Sequence, residues 1–403
     1  MSPAERIVKI KAECGLTDEE ASALSQAGLG IEQADKMVEN VVGLFQLPLG
    51  IATNFLINGR DYLVPMATEE PSVIAAASNA AKMAREGGGF KAESTRPVMI
   101  GQIQVVNHKK GAEKAILSKK KELMDYGQSL DPTLVKFGGG VVDLSVRKVK
   151  DMVVVHLHVN VADAMGANAV NTMCEALAPK IAEFSGGKVV LRILSNYALE
   201  RTAKASVTVP KEALGGEEVV DRIVWAYRLA AHDVYRAVTH NKGVMNGVTA
   251  LVLATGNDTR AVEAGCHSFA ARSGRYTSLT TWEKNGRGDL VGGIEIPVAV
   301  GLVGGAVRTH PVAKAAVKIL GVKSARELGE VMACVGLAQN LAALRALASE
   351  GIQKGHMRLH ARNIAVTAGA DGELADLVAA GMVKAGKVSV DEAKRILGEL
   401  KGR

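Results

Sequence analysis

The stretch "GGGVVDLSVRKVKDMVVVHLHVNV", residues 138–161, predicts two consecutive strands near the middle of the 403-residue chain. Two elements on each side complete a pattern: strand "PVMIGQIQVV" at 97–106, helix "GAEKAILSKKKELMDYGQS" at 111–129, helix "AMGANAVNTMCEALAPKIAEFSGG" at 164–187 and strand "KVVLRILSNY" at 188–197. The resulting order, β-α-β-β-α-β, is the split pattern of a ferredoxin-like unit. We therefore predict a small domain at about 98–205, inserted in a larger one.

The segments on both sides of this small domain are predicted to be mainly helical. Thr17 and Glu20 form a capping box before one helix, and residues 31–45 predict the next. Pro71 opens an alanine-rich helix, and residues 217–238 predict one long helix after the small domain. The fold class is thus α+β, with a helix-rich large domain and a C-terminal helical flap. The predicted boundaries are 1–97 and 206–355 for the large domain, 98–205 for the small domain and 356–403 for the flap.

Composition and charge restrict the classes of function. Aromatic residues are only 3%, which argues against base-stacking nucleic-acid modules, because these need exposed rings. The net charge is +7, but the positive residues are scattered; Lys119 to Lys121 form either a solvated helix face or a landing site for phosphates of a nucleotide-like ligand. The four cysteines form no CxxC pair and the N-terminus lacks an apolar signal segment, so we expect a cytoplasmic protein. The longest uncharged apolar run, 296–307, is too short to span a bilayer, so no membrane partner is expected.

Familiar ligand motifs do not occur in this sequence. It has neither GxxxxGK[ST] nor a GxGxxG between a strand and a helix, so a dinucleotide would bind without a Rossmann fold. His356 and His360 stand at positions i and i+4, as in a zinc protease. Met357 occupies the place where the protease needs a glutamate, so we reject a metal site there and expect no metal.

Lys242 stands alone in "HNKGVMNG", residues 240–247, a composition that predicts a loop followed by an apolar strand and then Asp258. A lysine in such a setting suits a fixed position against a substrate carbonyl. Two carboxylates have simpler explanations: Glu70 precedes a helix, where the helix dipole favours acids, and Asp258 suits the N-cap of the next helix. Taken singly, these residues do not decide a function.

Nine motifs taken in order are far more specific. They are "ENVVG" at 39–43, "EEPSVIAAAS" at 69–78, "DAMGANAVNTM" at 163–173, "HNKGVMNG" at 240–247, "ATGND" at 254–258, "SLTTWE" at 278–283, "GLVGGA" at 301–306, "LAQNLAALRALASEGIQKGHM" at 337–357 and "LHARNIA" at 359–365. Together they closely resemble 3-hydroxy-3-methylglutaryl-coenzyme A (HMG-CoA) reductase in its soluble bacterial and archaeal (class II) form, from about residue 15 onward.

The resemblance implies a set of site residues. The implied catalytic residues are Glu70, Lys242, Asp258 and His356. The implied substrate contacts are Ser72, Arg236, Asn246 and Gln339. The implied cofactor contacts are Asp163, Met165, Gly166, Asn168 and Asn196. The resemblance also implies that the small domain binds the cofactor and that "ENVVG" lies at a homodimer interface close to the active sites; a higher assembly of dimers is left open.

The implied reaction interconverts HMG-CoA and two NAD(P)H with mevalonate, coenzyme A and two NAD(P)⁺. Two hydride transfers pass through mevaldyl-CoA and mevaldehyde. Lys242 can stabilise the oxyanion and Glu70 can donate a proton to the alkoxide. His356 can protonate the coenzyme A thiolate. Asp258 is expected to pair with Lys242.

Neighbouring residues fit this chemistry. Gly243 and Gly247 are expected to let the substrate approach, Asn241 and Asn246 to supply polar contacts, and Arg236 to bind the free carboxylate with two hydrogen bonds. Two rival functions remain: a different dehydrogenase acting on thioesters or aldehydes, and an acyl-CoA-binding protein without catalysis.

Asp131 bears on the choice of cofactor. It is either a turn aspartate before proline or an acid that accepts a hydrogen bond from the adenosine ribose and repels a 2′-phosphate. The lysines at 119–121 would favour a phosphate instead. We expect the carboxylate to dominate, so that NAD(H) is preferred over NADP(H).

Overall fold

The structure, a computed structural model, describes residues 1–26, 28–349 and 361–401, without the side chains of residues 306 and 308. The strands are β1 Leu49–Ile57, β2 Arg60–Ala67, β3 Phe90–Ser94, β4 Val98–Val106, β5 Gly140–Val149, β6 Met152–Asn160, β7 Lys188–Ser195, β8 Thr202–Val209, β9 Thr280–Lys284 and β10 Leu290–Pro297. The helices are α1 Pro3–Cys14, α2 Asp18–Ser25, α3 Ile31–Asp35, α4 Val73–Glu86, α5 Ala112–Ser118, α6 Lys120–Ser129, α7 Pro132–Lys136, α8 Ala167–Ser185, α9 Lys211–Leu214, α10 Glu217–His232, α11 Val234–Ala254, α12 Thr259–Ala270, α13 Gly305–Thr309, α14 Pro311–Leu320, α15 Ala325–Ala348, α16 over 361–367, α17 Gly372–Lys384 and α18 Val390–Lys401.

The larger of two sheets has six strands in the order β2-β1-β3-β8-β10-β9. Helices α4, α11 and α15 pack against it and against one another, and their apolar faces form the main core. Helix α15 is long and apolar enough to cross a membrane by composition, but 67% of its apolar window is buried inside the protein. It therefore acts as the central core helix, and α11 lies directly beside it.

The smaller sheet has four antiparallel strands in the order β5-β6-β4-β7. Helices α5, α6 and α8 pack against it and enclose a second core, which includes Ile103, Leu157 and Cys174. The chain order of these elements is the predicted β-α-β-β-α-β. The next strand, β8, pairs with β3 and β10, so the last residues assigned to the small domain, 202–205, lie in the larger sheet.

The prediction that residues 1–85 are mostly helical is wrong for 49–67, which form the β1–β2 hairpin. Asn58 and Gly59 make its turn with φ values of 50° and 81°. An Asn-Gly pair between two apolar segments is a strong hairpin signal, because both turn positions need positive φ. The strands β9 and β10 were likewise not predicted.

Two predicted helices are shorter than expected. The helix predicted for residues 31–45 ends at Asp35, and residues 41–48 have no regular secondary structure. The helix predicted for 217–238 is broken at Asp233, whose side chain accepts a hydrogen bond from the Arg236 backbone and so caps the start of α11. The capping aspartate starts a new helix, and the chain can change direction there.

Candidate active site

Lys242 lies in the middle of α11, so the predictions of a loop at 240–247 and a strand after it are wrong. The loop prediction rested on glycine and asparagine, but tertiary packing overrides these weak propensities. Gly247 faces α15: a Cβ there would lie 2.9 Å from Gln339 Cβ and 3.0 Å from the Val335 carbonyl oxygen. This glycine therefore allows two core helices to approach closely, and it does not serve substrate access.

One face of α11 carries a stripe of exposed and half-buried residues. Its members, spaced three or four residues apart, are here called the Lys242 face: Tyr235, Val238, Lys242, Asn246, Thr249 and Leu253. Asn246 is thus beside Lys242, as the resemblance implies. Asn241 points the other way: it is buried, donates to the Thr277 carbonyl at 2.8 Å and accepts from the Leu279 backbone at 2.9 Å, so its role is structural.

Glu70 meets Lys242 across the molecule. Its Oε2 lies 2.5 Å from Lys242 Nζ, although the two residues are 172 positions apart in the chain. Glu70 follows β2, and its backbone N–H donates to Thr68 Oγ1 at 3.2 Å. Ser72 comes next, with φ 74° and no capping hydrogen bond from its side chain, so its hydroxyl is not engaged in closing α4. A positive φ at a residue other than glycine is a strained conformation.

The Glu70–Lys242 pair stands between two cavities. The small cavity, about 180 Å³, is lined by Lys242, Asn246 and Thr249 of the Lys242 face and by α12. A larger groove, here called the long groove, about 840 Å³, is lined by Glu70 and Ser72 and by apolar and basic residues of α1. Thr68 and Glu69 border both spaces. A ligand could therefore extend from one cavity to the other past the ion pair.

Asp258 does not pair with Lys242 within one chain. Its Oδ1 accepts from the Ala261 backbone at 3.0 Å and caps α12, and it also lies 3.9 Å from Arg260. The twelve residues from Lys242 to the end of α11 span about 18 Å at about 1.5 Å per residue. Helix α12 then runs back along α11, since Glu263 meets Thr249. The expected pairing is thus wrong for one chain, because Asp258 stands at the far end of the two helices.

The other implied substrate contacts are also separated from Lys242. Arg236 lies six residues before it on α11, which turns it about 120° around the helix. Burial lowers the pKa of Arg236. Gln339 is only 6% exposed, and its Oε1 has no hydrogen-bond partner among the described residues. It lies against Gly247 on the buried side of α11.

Four of the five implied cofactor contacts lie in residues 163–168, here called the cofactor loop, which lead into α8 and include its first two residues. Arg201 holds this loop: it donates to the carbonyls of Ala164 and Met165, each at 3.1 Å, and to that of Val300. Arg201 is only 3% exposed. Burial, opposed by the charge of Asp163, lowers its pKa to about 10. This residue was not identified from the sequence, where no motif includes it.

The "GLVGGA" motif packs against the cofactor loop, and the "ATGND" motif bonds to "GLVGGA". Asp163 accepts from the Leu302 backbone at 2.8 Å, and its side chain accepts from the Ala325 backbone at 2.7 Å. Asn257 Oδ1 accepts from the Gly301 backbone at 2.8 Å. Asn257 adjoins Asp258, so Asp258 lies at the same end of α11 as the implied cofactor contacts. Asn196 is close as well, since its carbonyl oxygen would lie 2.9 Å from a Cβ at Gly265 of α12.

Two of the implied cofactor contacts lie where α8 begins. Gly166 is the N-cap residue of α8, and no side chain accepts a capping hydrogen bond there. Asn168 lies in the first turn of the helix.

Asp131 caps α7, accepting from the Leu134 backbone at 2.8 Å. The nearby lysines are paired with carboxylates of the same domain: Lys119 with Glu122 at 3.3 Å, Lys120 with Asp143, and Lys121 with Asp125 at 2.5 Å. These pairs favour the interpretation of this lysine run as a solvated helix face.

A buried polar network joins three of the sequence motifs. His240 Nε2 lies 2.7 Å from Thr280 Oγ1, which donates to Asn340 Oδ1 at 2.9 Å. Trp282 Nε1 donates to the same Asn340 oxygen at 2.8 Å. Burial, with a contribution from Arg236, lowers the pKa of His240 to about 3. The network thus connects α11 to β9 and α15. All of its members lie in the sequence motifs, and this was the signal from which the network could have been predicted.

Comparison with known proteins identifies the family. A protein-family model described as hydroxymethylglutaryl-coenzyme A reductase matches residues 2–361. The 3-hydroxy-3-methylglutaryl-coenzyme A reductase of Archaeoglobus fulgidus is 55% identical, over 100% of this chain and 93% of the relative. A reductase structure from Streptococcus pneumoniae matches with 40% identity and a TM-score of 0.85, over 99% of this chain and 98% of that one. A class II reductase structure from the same organism, bound to NADPH, has 43% identity and a TM-score of 0.84 over 87% of this chain and 98% of that one. The chain therefore belongs to the hydroxymethylglutaryl-coenzyme A reductase family, as the resemblance of its motifs implies.

Proposed function

We propose that this chain interconverts HMG-CoA and mevalonate by two hydride transfers, through mevaldyl-CoA and mevaldehyde. The observation that carries the proposal is the Glu70–Lys242 pair at the junction of two cavities. A reaction that moves negative charge onto a carbonyl oxygen needs a fixed cation and a proton donor at the same place. These two side chains supply both.

The bound nicotinamide supplies each hydride. Lys242 faces the carbonyl oxygen of the thioester and then of the aldehyde, and stabilises the charge that develops there. Protonated Glu70 gives its proton to the alkoxide formed in the second reduction. His356, outside the described residues, protonates the coenzyme A thiolate. Overall, two hydrides and two protons convert the thioester to a primary alcohol and a thiol.

The shapes of the two cavities suggest how the substrate lies. The long groove contains apolar residues such as Ile7, Ile10 and Ile74, which suit the pantetheine arm of coenzyme A. Arg6 and Lys9 line it too and are placed to meet phosphate groups. The small cavity suits the acyl end, so that the thioester carbonyl falls beside Lys242.

The small domain is proposed to be a ferredoxin-like cofactor domain. A supporting observation is that α8 starts without a side-chain cap, leaving its first-turn N–H groups available to a pyrophosphate. NAD(H) is the proposed preference. Asp131 can keep Oδ1 on the α7 cap and accept from a ribose hydroxyl with Oδ2. The class II structure bound to NADPH belongs to a different protein, 43% identical to this chain.

The active enzyme is proposed to be a cytoplasmic homodimer that completes each active site with residues of both subunits. Within one chain Asp258 stands at the far end of α11 from Lys242, so a second copy is needed to bring the two together. Phe45, in the segment after "ENVVG", is 93% exposed, and Tyr235 on the Lys242 face is 89% exposed. Large apolar side chains at such exposure mark interaction surfaces when they cluster.

The test is spectrophotometric. Purified protein is mixed with mevalonate, coenzyme A and either NAD or NADP, and reduction of the nicotinamide is followed. Turnover that requires all three components supports the proposal. Binding of acyl-CoA without turnover would instead favour the acyl-CoA-binding protein, and equal turnover with other hydroxy acids would favour the different dehydrogenase.

A further inference from the structure

The side chain of Asn257 connects the turn that carries Asp258 to a second segment of the chain. Asn257 lies between α11 and α12, immediately before Asp258. Its Oδ1 accepts from the Gly301 N–H at 2.8 Å, and its Nδ2 donates to Thr255 Oγ1 at 3.1 Å. Its own backbone N–H donates to the Val252 carbonyl at 3.0 Å. Both polar atoms of the amide are thus engaged, and the oxygen reaches out of the turn.

The segment that contains Gly301, residues 300–303, lies directly on the cofactor loop. The Leu302 N–H donates to the Asp163 carbonyl at 2.8 Å, and a parallel bridge joins the two segments. A Cβ at Gly301 would lie 2.5 Å from the backbone nitrogen of Met165, so the two backbones are in contact and only glycine fits. The peptide bonded to the asparagine side chain is therefore the one that contacts the cofactor loop.

Asp258 is held from its other side by α12. Its Oδ1 accepts from the Ala261 backbone at 3.0 Å and caps this helix. Helix α12 in turn lies against an implied cofactor contact, since a Cβ at Gly265 would lie 2.9 Å from the carbonyl oxygen of Asn196. Asp258 thus has two anchors, its own helix and the neighbouring asparagine, and both lead to residues implied to bind the cofactor.

The bond from Asn257 matters for the distance between Asp258 and the cofactor loop. A displacement of about 1 Å at a reacting group can lower a rate about 100-fold, because the reacting atoms must be held in contact geometry. The loop itself keeps its bonds to Arg201 and to the Ala325 backbone when Asn257 is changed. Loss of the Asn257 bond therefore lets Asp258 shift relative to a loop that is still able to bind its ligand.

We propose that Asn257 is a positioning residue, which holds the Asp258 carboxylate in a fixed place relative to the cofactor loop through its bond to Gly301. This inference rests on the proposed function, in which Asp258 acts with Lys242 and the small domain binds the nicotinamide cofactor. Because Asn257 acts through Asp258, its loss lowers the rate of the reaction more than the affinity for substrate or cofactor.

The test is the steady-state kinetics of HMG-CoA reduction. Asn257→Leu has a side chain of similar size but no acceptor for the Gly301 N–H. We expect kcat to fall about tenfold or more, while the KM for HMG-CoA and for the cofactor each change less than about threefold. Asn257→Asp keeps an oxygen for the same bond and should recover kcat to about half of the wild-type value or more.

Three results would overturn the proposal. One is a kcat for Asn257→Leu within about twofold of the wild-type value. Another is an equal loss of kcat in Asn257→Asp, which would show that the acceptor oxygen is not what matters. The third is a rise in either KM with kcat unchanged, which would mean that Asn257 serves binding and not the position of Asp258.

Thr255→Val is the matched control within the same turn. It removes the hydroxyl to which Asn257 Nδ2 donates but leaves the bond to Gly301. Its kcat should stay within about twofold of the wild-type value. An equal fall in kcat would mean that the packing of the turn controls the rate, and it would overturn the proposal. Asn257→Ala also lacks the acceptor and replaces the leucine variant if that variant does not fold.

The outcomes separate this inference from the proposed function. Absence of wild-type turnover of HMG-CoA would remove the proposed function and this inference with it. Wild-type turnover together with an unchanged kcat in Asn257→Leu would remove only the inference.

Discussion

The Lys242 face and the cofactor loop differ in how their functional groups are held. The side chain of Lys242 is 59% exposed, and among the described residues it forms one ion pair, with Glu70. The cofactor loop is fixed by the buried Arg201, by the backbone of Leu302 and by Asp163 itself. The Lys242 side chain thus projects from a helix with one ion pair of its own, whereas the cofactor loop is held by several hydrogen bonds.

The two regions also lie at opposite ends of α11. Asp258 follows the far end of the helix, next to Asn257, which bonds the "GLVGGA" segment beside the cofactor loop. Under the proposed function, one chain thus carries two half-sites, one at each end of α11, and the difference between them can be tested by changing each in turn.

The largest effect is expected for Lys242→Ala. The variant removes the proposed oxyanion contact, which is worth about 3–4 kcal/mol, so kcat should fall at least ~100-fold. Its melting temperature should stay near that of the wild type, because the side chain is exposed. Lys82→Ala, an exposed lysine on α4, is the control. A Lys242→Ala variant with more than a tenth of the wild-type rate would contradict the assignment.

The next test asks whether the half-sites combine between subunits. Lys242→Ala and Asp258→Asn should each be inactive alone; asparagine can still cap α12. Co-expression gives mixed dimers in which one site carries both changes and the other none. If the subunits pair at random, half of the dimers are mixed and each mixed dimer has one intact site of two. The total activity should therefore be about a quarter of the wild-type value. Mixtures no more active than the single variants would place Lys242 and Asp258 in the same subunit's site, or in none.

The cofactor loop is expected to respond to Arg201→Met. The change leaves three carbonyls, that of Val300 buried and those of Ala164 and Met165 partly buried, without their donor, and should lower the free energy of unfolding by about 2–4 kcal/mol. The KM for the nicotinamide cofactor should rise more than that for HMG-CoA, since the loop is on the cofactor side. Arg192→Met, on the exposed strand β7, provides the comparison in thermal unfolding. Equal changes in both KM values would mean a general loss of structure.

The smallest effect concerns the choice of cofactor. Asp131→Asn keeps an N-cap for α7 and removes the charge. The ratio of kcat/KM for NAD(H) to that for NADP(H) should fall about tenfold, mainly because NADP(H) is used better. A wild-type preference for NADP(H), or a ratio that the variant does not alter, would exclude Asp131 from the cofactor site.

The sequence predicted the small sheet well because its strands are long and bounded by clear turns, as in residues 138–161. It failed at the β1–β2 hairpin, where the Asn58–Gly59 signal was overlooked, and at α11, where glycine and asparagine were taken as loop residues. Residue type describes the local preference of the backbone, but α11 is stabilised by the helices and strands that surround it.

The site was predicted in part. The motifs identified Glu70, Lys242 and Asn246, which the structure brings together. They could not reveal that Asp258 and the cofactor loop lie at the other end of α11, since spacing along the chain does not define distance between helices. Arg201 escaped notice because it holds the cofactor loop through neighbours that are remote in sequence.

The two glycines of "HNKGVMNG" have opposite consequences for protein engineering. A saturation library at Gly247 should return glycine alone, because any Cβ would collide with the backbone and side chains of α15. At Gly243 nothing lies within 4 Å of the added atom. Replacing that glycine by alanine inside the helix should raise stability by up to about 1 kcal/mol, which makes it a natural first position for a thermostable variant.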